Sequence, residues 1–189
     1  TSALVHPFMP FSTGDLVLTR GSFTDLIERL QNEGGFAIEE GRWKNRMIDS
    51  ETLKLVLDRM CADSKVDLLF HTQVVGVLVR NTSVKAVKVF TRNGIEDLSA
   101  DIFIDATGDG DLACWAGAPY EVGRREDEAV QPMTLCFRMA NVDVGKLDSD
   151  AIDKLYNKAK EKGEIQNPRE NVLYFKCIQN DVVHFNTTR

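Results

Sequence analysis

One short turn carries the residues whose types and spacing could do chemistry. Residues 101–117 read DIFIDATGDGDLACWAG. The apolar run Ile102, Phe103, Ile104 breaks into Asp105, Ala106, Thr107, Gly108, Asp109, Gly110 and Asp111, and apolar character resumes at Leu112. A strand that runs into a glycine-rich turn and then a helix start is how α/β proteins build a ligand cradle. Small residues let the backbone come close, and unspent N–H groups at the helix start suit phosphates and ribose hydroxyls. Ala106, Thr107, Gly108, Asp109 and Gly110 are therefore candidate contacts. Gly and Asp are also standard turn residues, so the turn alone is also readable as a chain reversal with no ligand.

Other chemistries find no support. The chain has no GxxxxGK[ST], no HExxH and no GxSxG. Asp105, Asp109 and Asp111 invite a calcium loop, but counted from Asp105 the third position is Thr107 and the twelfth Ala116, where that loop needs an acid and a Glu. The cysteines Cys61, Cys114, Cys136 and Cys177 are far apart and show no ligand spacing. No metal is expected.

The elements around the turn follow from hydrophobic period. Phe23, Leu26, Ile27 and Leu30 lie on one helical face after Ser22, with Asp25 at capping-box spacing and Gly34-Gly35 as the stop. A second helix follows Asp49-Ser50, with Leu53, Val56, Leu57, Met60 and Cys61 inward. The period then becomes two. Residues 66–71 read as an apolar strand, and 73–80, 84–92 and 95–100 as an antiparallel meander. Asn81-Thr82-Ser83 turns its first pair, and Asn93-Gly94 turns the second with a type I′ geometry. The apolar flanks, 66–71 and 102–105, suit strands buried in a parallel sheet.

Beyond Gly117 the texture changes. Residues 121–128 (EVGRREDE) read as a solvated loop, and 130–142 as a strand. A helix over 149–160 turns Ile152, Leu155, Tyr156 and Ala159 inward, and strands follow at 172–178 and 182–185. Residues 1–18 are apolar but aperiodic, and Pro7 and Pro10 exclude a helix interior, so a packed loop is expected there. A domain boundary falls near residue 120, giving domains 1–120 and 121–189.

Composition narrows the function classes. The chain has 189 residues, 43% of them hydrophobic and 28% charged, as in an ordinary folded protein. A net charge of −6 without a basic cluster argues against nucleic-acid binding. No run approaches the roughly 20 apolar residues of a membrane span. Thr1 is not a methionine and no targeting segment is visible, so the chain reads as an internal piece of a larger, cytoplasmic protein.

The motifs in order resemble a known family. Residues 104–113 (IDATGDGDLA), 116–124 (AGAPYEVGR), 131–138 (QPMTLCFR), 49–60 (DSETLKLVLDRM), 68–74 (LLFHTQV) and 4–9 (LVHPFM) are similar to segments of FAD-dependent oxidoreductases with a glutathione-reductase-type fold, many of them bacterial. The resemblance covers residues 1 to about 143 and implies an α/β fold. This would be a partial FAD-binding Rossmann-like domain with a three-stranded β-meander crossover, plus part of an α+β substrate domain. It implies FAD as cofactor and a small-molecule substrate. It puts Ala106, Thr107, Gly108, Asp109 and Gly110 along the ribose and pyrophosphate, and Val74 by the adenine. Ser2, His6 and Met9 would face the flavin ring, with His6 as a catalytic acid/base. Residues 131–134 would start the substrate-side sheet. The family's GxGxxG strand is absent from residues 1–189, so this stretch alone is expected to bind FAD weakly or not at all. Two other readings compete: a non-catalytic scaffold that keeps the fold, and a carbohydrate-active enzyme of polysaccharide-lyase type.

Overall fold

A computed structural model describes residues 12–13, 16–39 and 45–188. In chain order the elements are β1 (Ser12–Thr13), β2 (Leu16–Val17), α1 (Ser22–Asn32), β3 (Phe36–Glu39), β4 (Asn45–Ile48) and α2 (Ser50–Asp63). Then come β5 (Gln73–Arg80), β6 (Ser83–Thr91), β7 (Gly94–Ser99) and α3 (Asp111–Trp115). The last are β8 (Phe137–Met139), α4 (Ser149–Glu161), β9 (Tyr174–Lys176) and β10 (Val183–Phe185). The chain divides into two compact units, one formed by Thr1–Val66 with Pro132–Arg189, the other by Asp67–Gln131. Among the described residues no helix is long and apolar enough to cross a membrane.

In the first unit α1 and α2 enclose a small core. Leu30, Ile48, Leu53 and Val56 are buried together, and Leu26, Ile27, Phe36 and Met60 pack against them. Apart from Ile48 of β4 and Phe36 of β3, these lie on the stripes that the 3.6-residue period selects, and Leu57, expected with them, is exposed. The expected capping box does not form. Gly21 caps α1 through its backbone, its side chain having nothing to offer, and Asp25 pairs with Arg29 at 3.0 Å instead. The Arg29 guanidinium also reaches Asp63 at 2.7 Å, joining α1 to the end of α2. The cap of α2 forms as expected: the Asp49 carboxylate accepts from the Thr52 N–H at 2.7 Å and from its hydroxyl at 2.8 Å.

The hairpin of β3 and β4 is additional to the elements read from sequence. So is the two-residue pairing of β1 with β2, within a stretch expected to be loop throughout. Gly35, just before β3, sits where a Cβ would lie 2.5 Å from Thr52 Cγ2. Thr52 cannot easily yield, because its hydroxyl is held by Asp49. Gly35→Ala is expected to cost about 1–3 kcal/mol through overpacking. Urea unfolding checks it: the midpoint falls with an unchanged slope, and an unmoved midpoint would show that Thr52 turns aside freely.

The same unit holds a three-stranded antiparallel sheet in the order β8-β10-β9. Only 137–139 of the expected 130–142 strand pairs. Leu135 is instead fastened by the Thr188 hydroxyl, which accepts from its N–H at 2.7 Å and donates to its carbonyl at 2.8 Å. Residues 131–134 are accordingly not strand, and Met133 is exposed. The Asp148 carboxylate caps α4 by accepting from the N–H groups of Asp150 and Ala151. Tyr156 is its buried residue, while Leu155, expected inward, is 70% exposed. Tyr156 reaches across to the Arg169 carbonyl, and Leu155, about 100° round the helix from it, is turned outward.

In the second unit β5, β6 and β7 form the expected meander in that order, antiparallel throughout. The positive-φ turn lies elsewhere than expected. Asn81 (φ 48°) and Thr82 (φ 64°) form the two-residue loop between paired Arg80 and Ser83, whereas at Asn93-Gly94 only Gly94 has positive φ. There the Thr91 hydroxyl accepts from the Asn93 N–H at 3.1 Å and supports a different bend. The flanking segments 66–71 and 102–105 are not strands. Neither has a neighbouring strand among the described residues, so their backbone groups have no ladder to join. Ile102 and Ile104 are 80% and 86% exposed. The charged run 121–128 is exposed as expected but closed on itself: Arg124 grips Asp127, Arg125 pairs with Glu121, and the Arg124 N–H donates to the Ala129 carbonyl.

Candidate functional site

The turn between the meander and α3 is built from below by one carboxylate. Asp105 Oδ1 accepts from the Thr107 N–H at 3.0 Å and from the Thr107 hydroxyl at 2.8 Å. Its Oδ2 accepts from the Ala113 N–H at 2.8 Å. The Thr107 hydroxyl in turn accepts from the Asp111 N–H at 2.9 Å. These bonds close the loop as an Asx turn backed onto a helix start. They hold the Asp105 carboxyl below the usual carboxylate range, the Ala113 N–H first, then the Thr107 N–H and hydroxyl.

This arrangement changes the expected use of the helix start. The N–H groups of Asp111 and Ala113, which would have faced an anion, are spent on Thr107 and Asp105. The Asp105 carboxylate already occupies the place favoured by the helix dipole. The unspent donors lie one step earlier. Among the described residues, the N–H groups of Gly108, Asp109 and Gly110 have no partner. Gly108 (φ 91°) and Gly110 (φ 74°) both have positive φ, and nothing lies within 4 Å of where a Cβ would stand on either. Successive N–H groups around positive-φ residues form a concave donor set suited to oxyanions. Thr107 is thus a brace of the turn, and its glycines are the open face.

The remaining expected residues are placed as follows. Ala106, Thr107, Gly108 and Asp109 are exposed, and Gly110 is half-buried. Val74 is half-buried in β5, opposite Val89 and beside an irregularity of register at Gly76. The helix that leaves the turn, α3, packs against β5 and buries Leu112, so the strand of Val74 and the turn belong to one assembly. Ser2, His6 and Met9 lie outside the described residues. Asp105 is the bracing residue of the turn that sequence reasoning missed. Its signal was an Asp two residues before a Thr at a strand-to-helix turn, a spacing that hydrogen-bonds its own backbone. Among the described residues no group of three His, Cys, Asp or Glu side chains is placed to hold a metal.

Neither a curated protein nor a solved structure matches the chain. A family model does, described as FAD dependent oxidoreductase and matching residues 1–186. That match spans the meander, the Asp105-braced turn and its open donors. The chain belongs to the FAD-dependent oxidoreductase family.

Proposed function

We propose that this chain supplies part of the flavin site of an oxidoreductase that acts on a small-molecule substrate, with Ala106, Thr107, Gly108, Asp109 and Gly110 along the ribose and pyrophosphate of FAD. FAD is the cofactor of the family. The observation that carries the reading is the row of unspent N–H groups at Gly108, Asp109 and Gly110, over glycines with open space above them. That donor set fits a pyrophosphate oxygen or a ribose hydroxyl, and the Asp105 brace holds it ready before a ligand arrives.

Bound FAD supplies the redox chemistry. The chain's residues bind and orient it. Val74 offers strand backbone toward the adenine; the family resemblance assigns Ser2 and His6 to the flavin ring, with His6 as acid/base for the substrate. In this reading residues 1–120 belong to a flavin domain of glutathione-reductase type and 121–189 to a substrate domain. The apolar, exposed segments 66–71 and 102–105 support a larger, Rossmann-like sheet in which both pair as strands. The four cysteines are free, which suits a reducing cytoplasm.

The test uses the full-length protein. It is expected to purify yellow, with the visible bands of oxidised flavin. Gly108→Val places a β-branched residue at φ 91° and covers the open face. It is expected to weaken FAD binding by roughly tenfold or more. A colourless wild type reconstituted with FAD to no effect would end the flavin reading. A Gly108→Val protein that holds flavin as tightly as wild type would end the assignment of the turn.

A further inference from the structure

The first unit contains a guanidinium that its own structure leaves half used. Arg138 lies in β8 directly opposite His184 of β10, which in turn lies opposite Phe175 of β9, so these three share one face of the sheet. The N-terminal end of α2 meets that face. Arg138 Nη1 donates to the Ser50 hydroxyl at 3.2 Å, and Gln179 Nε2 donates to Asp49 Oδ1 at 2.8 Å. Ser50, Cys177 and His184 are all buried. Arg138 Nε and Nη2 are buried as well, and among the described residues neither has a hydrogen-bond partner.

Those two nitrogens form one edge of the guanidinium, with two parallel N–H bonds in one plane. An arginine stays charged at any ordinary pH. A buried cation with two unmet donors is a costly arrangement that folded proteins rarely leave standing. The neighbours do not relieve it. Asp49 has both oxygens engaged, by Thr52 and by Gln179. Burial pushes the Cys177 thiol up, so it stays neutral. Burial, then Arg138 itself, holds His184 low, so the imidazole stays uncharged beside the guanidinium.

We propose that the Nε–Nη2 edge of Arg138 is a binding site for the carboxylate of a small molecule. A carboxylate presents two coplanar acceptors at the spacing of this edge and accepts both bonds at once. Ser50 fixes the far side of the guanidinium, and the sheet fixes its plane. Water is kept from the edge, which strengthens a charged pair formed there. Its residues all belong to the first unit, and it does not rest on the flavin reading.

Thermal unfolding of the full-length protein tests this, with acetate and succinate as probes and sodium chloride at matched ionic strength as control. Wild type is expected to gain about 3 °C or more when a probe reaches roughly tenfold excess over its dissociation constant. Arg138→Met keeps the bulk and removes the charge. It is expected to unfold at or above the wild-type temperature without probe and to show no probe response. Arg138→Lys, which loses the fork, is expected to need about tenfold more probe. The proposal is overturned if wild type responds to carboxylates no more than to chloride, or responds more strongly to inorganic phosphate. It is also overturned if Arg138→Met keeps the response. A fall of more than about 5 °C in Arg138→Met without probe would overturn it too, because it would show that the edge is already partnered.

Discussion

Replacing Asp105 with Ala in the flavin-carrying full-length protein is expected to lower its affinity for FAD by about tenfold or more. The side chain touches none of the open donors. It acts by holding the Thr107 N–H and hydroxyl and the Ala113 N–H, and through Thr107 it also holds the Asp111 N–H. Without it the positive-φ glycines lose their support, and the ligand must order the turn at its own expense. Asp105→Asn does not rescue this, because an amide N–H₂ would meet the Ala113 or Thr107 N–H donor to donor. Asp101→Ala removes the same charge from an exposed neighbour and serves as the control. Flavin released on dialysis is the measurement, and equal retention in Asp105→Ala and Asp101→Ala would dismiss the brace. Acid gives a second view. The carboxyl is held below its ordinary value of 3.8. Its contribution is therefore full above that value and is lost as pH falls through the lower folded value. Flavin retention should be level through neutral pH and fall only in strong acid.

Leu30→Ala is expected to be the most damaging truncation in the first unit. Leu30 is 0% exposed and sits among Ile48, Leu53 and Val56, which belong to β4 and α2. Removing it takes away its transfer free energy and leaves a cavity that three elements would have to collapse, a loss of about 2–5 kcal/mol. The unfolding temperature should drop by roughly 5–15 °C. Leu155→Ala is the comparison. That side chain is 70% exposed, and its loss should stay within about 0.5 kcal/mol. Similar shifts for the two would mean that the core is not where these contacts place it.

Local pattern carried most of the helices and the meander. The stripe Leu26, Ile27, Leu30 and the Asp49 cap are visible in a window of a few residues, and the structure keeps both. The alternating runs of the meander pair over short loops, so their partners are as legible as the strands. The segments 66–71 and 102–105 are different. An apolar run becomes a strand only when another strand lies beside it, and their residues cannot state which strand that is. Leu155 shows a second limit. It lies one residue from Tyr156, and the period alone admits both to the inner face. The choice was made by the docking of Tyr156 on Arg169. At the site, the glycines of the turn were legible because few residues suit such a place. The roles of Asp105 and Thr107 were not, because an acid and a hydroxyl in a turn look alike whether they face a ligand or their own backbone.

The meander has a consequence for the order in which the chain acquires structure. Its three strands are neighbours in sequence and join through two-residue loops, between Arg80 and Ser83 and between Thr91 and Gly94. Such hairpins close within about 1–10 μs and draw on little of the chain. The sheet of β8, β10 and β9 must instead bring Arg138 beside His184 across the whole of α4, a slower search because a longer loop is closed before any bond is gained. The Asp105-braced turn grows directly from the fast-forming part. It therefore stands on a scaffold that is complete while the sheet carrying Arg138 is still being assembled.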